Sequence, residues 1–265
     1  MKTLHLAILL FLLTGTAFSQ ASSFSKGQEA FARGDYSTAI RMFQEARKQA
    51  SNPAESAKIL DRLAYTYEKQ GGFYESIPIR EEHLHLFGTR PTDPEGKARA
   101  QLKLGSALYE DFRYGESAKH IQGAYDSVAD LQSDFAKVTR FLAVCNTFAL
   151  HAVLGNEKEF VTSLGQLEKS AEEVGTVPDT FPYDDQDLDL IFRSTFRVGS
   201  VLRYWLPKMG PELAKEKTIV QSAVIQLYTE LGQVALTELP DRRDAVRMWA
   251  ASLLELAVTY REVGE

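Results

Sequence analysis

The chain has 265 residues, 44% of them hydrophobic and 25% charged, and its 30 Lys and Arg against 36 Asp and Glu leave a net charge of −6. That acidic balance argues against general nucleic-acid binding, which needs a basic surface to displace counterions from phosphates. The single cysteine, Cys145, excludes an intrachain disulfide framework and any multi-cysteine metal cluster.

In chain order, residues 1–19 come first. Lys2 precedes an apolar stretch from Leu4 to Leu13, and Ala17 and Ser19 sit at −3 and −1 of a cut before Gln20. This is the layout of a cleavable secretory signal, and the stretch is well short of the ~20 residues of a membrane-spanning helix. No Cys lies near the cut to carry a lipid anchor. Removal of these residues would leave 246 residues with a net charge of −7, exported to a periplasmic or extracellular location and not stably inserted in a membrane.

Residues 20–128 contain three self-similar blocks, written from Gly27, Leu63 and Leu104, whose aligned columns are offset by 37 and 41 residues. Small residues align at Gly27, Ala64 and Gly105. Seven positions on stand Gly34, Gly71 and, as an exception, Phe112. Aromatic residues follow at Tyr36, Phe73 and Tyr114, then small ones at Ala39, Ser76 and Ser117. Each block reads as helix, tight turn, helix. Two antiparallel helices pack closely where small residues face each other, and a Gly just past the first helix supplies a left-handed cap. Apolar residues fall at helical spacing, as at Ile40, Phe43 and Ala46, or Leu60, Leu63 and Tyr67.

These columns resemble the tetratricopeptide repeat (TPR). The second and third blocks are similar to the longer repeats of kinesin light chains, whose second helix carries Ala-x-Pro, here Ser76-Ile77-Pro78. Pro78 is expected near its helix start, where a missing N–H costs little. The resemblance implies an all-α, right-handed solenoid of antiparallel helix hairpins.

Beyond residue 128 the pattern weakens. Residues 129–175 keep a helix, a Gly155-Asn156 turn and a helix, with Phe148 and Phe160 at the small positions, and read as a degenerate fourth pair. Residues 176–187, with Pro178, Pro182 and several Asp, are the expected linker. Residues 188–265 read as further helical repeats or a cap. The final Leu256, Ala257, Tyr260 and Gly264 match a first repeat helix and its turn, which fits either a terminal cap or one part of a longer chain.

No catalytic constellation emerges. The run Asp185-x-Asp187-x-Asp189 opens like a calcium loop, but Leu190 and Phe196 stand where Gly and Glu are required, so the acids are expected to favour a helix start. His83 and His85 point to different faces of a helix and cannot share a metal. Cys145 lies in an apolar helix and reads as a buried structural thiol. No cofactor, metal or catalytic residue is expected.

What remains is a surface. In tetratricopeptide arrays the first helices line a concave groove that holds peptides or helices. The resemblance places Gln28 there from the first block, with Lys58, Arg62, Tyr65 and Lys69 from the second and Arg99, Lys103 and Tyr109 from the third. Carboxylate-clamp repeats carry two basic residues at the places of Arg99 and Lys103, but Phe24, Gln28 and Arg62 stand where that clamp has Lys and two Asn. The groove therefore implies a protein or peptide ligand, with an acidic segment among its options, while a merely solvated helix face explains the same charges. The leading reading is an exported, non-enzymatic scaffold or assembly factor that binds another polypeptide. The alternative is a sensory or regulatory input module of a larger signalling protein.

Overall fold

Backbone requirements at the turns organise the architecture. The computed structural model describes residues 22–88, 93–177 and 184–205. The expected signal segment, the stretch after residue 205 and residues 178–183 of the expected linker lie outside the described residues. Among those described, the regular structure is entirely helical. In order come α1 (Ser23–Ala32), α2 (Tyr36–Gln49), α3 (Pro53–Gln70), α4 (Phe73–Gly88), α5 (Pro94–Glu110), α6 (Tyr114–Val128), α7 (Asp134–Val153), α8 (Glu157–Val174) and α9 (Asp185–Trp205).

Four hairpin turns share one geometry. Gly34, Gly71, Phe112 and Gly155 all have left-handed φ, from 61° to 89°. At each, the next residue's N–H reaches back to the last turn of the helix: Asp35 to Ala30, Gly72 to Tyr67, Arg113 to Leu108 and Asn156 to His151, at 2.8–2.9 Å. This closes orphan carbonyls as the left-handed cap requires. Phe112 adopts the conformation without the freedom of a glycine. Its ring is 78% exposed and makes only an edge contact with Tyr114. Phe112→Gly is therefore expected to raise stability by about 0.5–1 kcal/mol, the left-handed penalty less glycine's entropy cost. Urea unfolding followed by circular dichroism would measure it, and an unchanged midpoint would show the strain to be absent.

The small-residue columns work as expected. A Cβ on Gly27 would stand 2.7 Å from the Phe43 ring, and one on Gly105 would stand 2.6 Å from Ile121. Ala39, Ser76 and Ser117 are fully buried, and the Ser117 hydroxyl donates to the Gly105 carbonyl at 2.7 Å. The fourth hairpin meets the same need differently. Phe148 and Phe160 are buried with ring centroids 4.6 Å apart, so aromatic contact replaces small-residue approach. Helix α4 continues through Pro78, its sixth residue. The bond forgone there is to the carbonyl of Tyr74, a strongly exposed residue.

The chain forms two compact units, divided between Leu86 and Phe87. In the first, Ala30, Ala39, Ile40 and Phe43 pack with Leu60, Leu63, Ala64 and Ile79. In the second, Leu102, Ile121, Val138, Leu142 and Leu150 form a core that also takes in Leu190 of α9. Helix α9 starts at Asp185, so the last residues of the expected linker belong to a helix. Among the described residues no helix is long and apolar enough to cross a membrane.

Candidate functional site

The first-helix faces carry the expected site residues, and the two units use them differently. In the first unit, α3 lays its cations over the aromatic rings of α1. Lys58 Nζ lies 4.9 Å from the Phe24 ring centroid, and the Arg62 guanidinium carbon lies 5.7 Å from that of Phe31. Lys69 Nζ is 5.7 Å from the Tyr65 ring, which in turn meets Phe31 at 5.5 Å. Lys58 and Gln28 are exposed, and Arg62 and Lys69 are half-buried. Tyr65 does not project from this face: it is buried in the core and contributes its ring as a floor. Gln28 falls between Phe24 and Phe31 on the same stripe of α1. The result is a short ladder of cations over aromatic rings.

The same register in the second unit is filled by the chain itself. Offset by 41 residues, Arg99 and Lys103 correspond to Lys58 and Arg62. Arg99 ion-pairs with Asp184 at 2.6 Å and Asp187 at 2.5 Å, and buried Lys103 donates to Gln186 at 2.9 Å. Further along, Arg197 of α9 stacks on Tyr109 at 4.3 Å and hydrogen-bonds Glu110, Asn146 and Ser106. Asn146 also donates to Ser194 at 2.8 Å. These contacts run from the start of α5 to its end, so α9 lies parallel to α5, seated against α5 and α7. The predicted positions Arg99 and Lys103 thus hold a helix of the same chain instead of lining an open groove, and Tyr109 carries Arg197 of that helix on its ring.

The acidic run that resembled a calcium loop does two jobs at this junction. Asp184 Oδ1 accepts the backbone N–H groups of Gln186 and Asp187, capping α9. Asp184 and Asp187 together clasp Arg99, while Asp189 pairs with Arg193 one turn on. Burial opposes ionisation of Asp184, but Arg99, the cap N–H and Lys103 outweigh it and hold its carboxyl below the usual range. Burial is also the largest influence on Asp187 and, joined by the charge of Asp184, pushes it up. Cys145 is buried among Phe148, Phe160, Val198 and Leu202, and that burial raises its thiol far above the ordinary value.

One charged site in the first unit escaped the sequence reading. Arg80 is fully buried in α4, with Nε 2.9 Å from Glu68 and a terminal nitrogen 2.5 Å from Asp61. Burial works against its charge, and the two carboxylates reverse that and push its pKa up. The signal was present in the repeat alignment. Arg80 occupies the column of Phe43 and Ile121, the residues that pack on the small positions, and Asp61 and Glu68 flank Ala64 on the facing helix.

No protein-family model matches the chain, and no curated protein matches it in sequence. Solved structures do. A candidate kinesin light chain of Podospora anserina with nearly identical TPR-like repeats superposes with a TM-score of 0.54 at 13% identity, covering 79% of this chain and 94% of that one. The fold is TPR-like. A single-substitution variant of the same protein superposes with the same TM-score, identity and coverage. At this identity the likeness concerns architecture, and the site residues stand on the geometry above.

Proposed function

We propose that the chain is an exported, non-enzymatic scaffold or assembly factor that binds another polypeptide on the α1–α3 face of its first unit. The observation that carries this reading is the matched register of Lys58 and Arg62 with Arg99 and Lys103. In the second unit that basic pair holds the acid-rich start of a helix. In the first unit Lys58 and Arg62 lie over the rings of Phe24 and Phe31, with Lys58 and Gln28 exposed. A partner segment with two or three acidic residues matches such a face, since charge-assisted hydrogen bonds to Lys and Arg are strong and aromatic rings add contact area at low entropic cost. Export is supported by the Lys2, apolar stretch and Ala17-x-Ser19 pattern of the first 19 residues.

A photo-crosslinking residue in place of Gln28 tests the reading in the periplasmic or secreted fraction. The expected result is a crosslinked polypeptide that disappears in the Lys58→Glu, Arg62→Glu variant while helicity and melting temperature hold. Equal crosslinking by that folded variant, or none by the parent, would remove the proposed face.

A further inference from the structure

A second concavity lies wholly within the second unit, apart from the Lys58–Arg62 face. It is a cleft of about 660 Å³ between the end of α5, the start of α6, the end of α7 and one stripe of α9. That volume is in the range of small-molecule sites. Its α9 wall is built at helical spacing from Phe192, Phe196, Ser200 and Tyr204, with Arg193 and Arg197 beside them. Phe192 and Phe196 stack at 5.6 Å, and Tyr109 meets Tyr114 edge-on at 5.2 Å, so two aromatic pairs line the space. Tyr204 and Val153 leave apolar surface at the rim, 63% and 43% exposed. Among the lining residues two are guanidinium groups and one, Glu110, is a carboxylate. Arg197 is held nearly buried by Glu110, Ser106 and Asn146, and the Glu110 carboxylate offsets its charge. Arg193 pairs with Asp189, which does not line the cleft, and its side chain keeps 20% exposure.

We propose that this cleft binds a small anionic molecule with an aromatic or branched apolar body, its acid group meeting Arg193 and Ser200 and its body lying on Phe192, Phe196 and Tyr204. In the lining Arg197 and Glu110 offset each other, which leaves Arg193 to select the charge, and the aromatic pairs select the body. Planar, fork-shaped Arg can meet an acidic group while its pair with Asp189 persists.

Two fluorescent probes that share an aromatic frame test this on the full chain: anilinonaphthalene sulfonate, and phenylnaphthylamine, which lacks the sulfonate. The expected result is one saturable site per chain, with the sulfonate bound at least about tenfold more tightly than its neutral counterpart. Arg193→Gln is expected to weaken the sulfonate about tenfold with little effect on the neutral probe. Ser200→Trp, which fills the cleft, should abolish binding of both, and Lys58→Glu should leave both unchanged. If Ser200→Trp loses helicity, Tyr204→Ala at the exposed rim provides the second measurement, with weakened binding of both probes expected. Multiple weak sites, equal affinity for the two probes, or indifference to Arg193→Gln in a folded chain would overturn the proposal. Because Lys58 serves as the control, failure here leaves the polypeptide-binding reading standing.

Discussion

Replacing Arg80 with Ala is expected to destabilise the first unit by about 3–5 kcal/mol, the usual cost of removing one partner from a buried ion pair. The loss comes less from the missing attraction than from what stays behind. Glu68 is buried and would lose its 2.9 Å ion pair, while Asp61 would lose its 2.5 Å contact. The triple variant Arg80→Met, Glu68→Gln, Asp61→Asn should recover most of the loss, because it removes the charges together and restores volume in a column that holds Phe43 and Ile121 elsewhere. Amide hydrogen exchange of α3 and α4 reads the effect locally, so the second unit's own stability does not mask it. If Arg80→Ala leaves that protection unchanged, the buried ionic triad is not what holds α4 to α3.

Charge reversal at Arg99 is expected to loosen α9 from the second unit, at a cost of about 2 kcal/mol. Arg99 is about one-third exposed, which discounts the pair itself, but Glu at this position also faces Asp184 and Asp187 at close range. The readout is exchange protection of α9. Lys58→Glu, the same reversal in the same register of the first unit, should leave stability within about 0.5 kcal/mol because Lys58 is exposed. Equal effects at both positions would contradict the difference between a filled and an open face. Acidification acts on the same junction with two opposed signs. Asp184, lowered in the folded chain, contributes stability above the ordinary carboxylate range that is lost as the pH falls through its own lower value. Asp187, raised, contributes in the opposite sense: its share is present at low pH and lost as the pH rises through its folded value. The weakening expected on acidification therefore belongs to Asp184, and Asp184→Asn should remove it from a pH series of α9 exchange.

The hairpins were legible because their demands are local. A left-handed turn, a small residue at a close approach and an aromatic two positions on all fall within about a dozen residues, and even Phe112 adopts the conformation its column requires. Cys145 was legible for a similar reason, since an apolar helix predicts a buried thiol. Arg80 was missed because apolar spacing looks past a charge in a core column, although the flanking Asp61 and Glu68 marked its partners. The fate of Arg99, Lys103 and Tyr109 was not legible at all. The acidic run Asp185-x-Asp187-x-Asp189 suggested a helix start, but nothing local singles out Asp184 or tells which basic residue the acids meet. Tyr65 shows a smaller version of the same limit: its column predicts the face, and only packing decides that it forms the floor.

The reach of that clasp has a consequence in time. Arg99 and Asp184 are 85 residues apart, whereas each hairpin closes on near neighbours. Local contacts form quickly and distant ones late. At synthesis rates of ~5–20 residues per second, the start of α5 waits about 4–17 s before α9 exists to cover it. For those seconds the nascent chain presents Arg99 and Lys103 without the helix start that later clasps them.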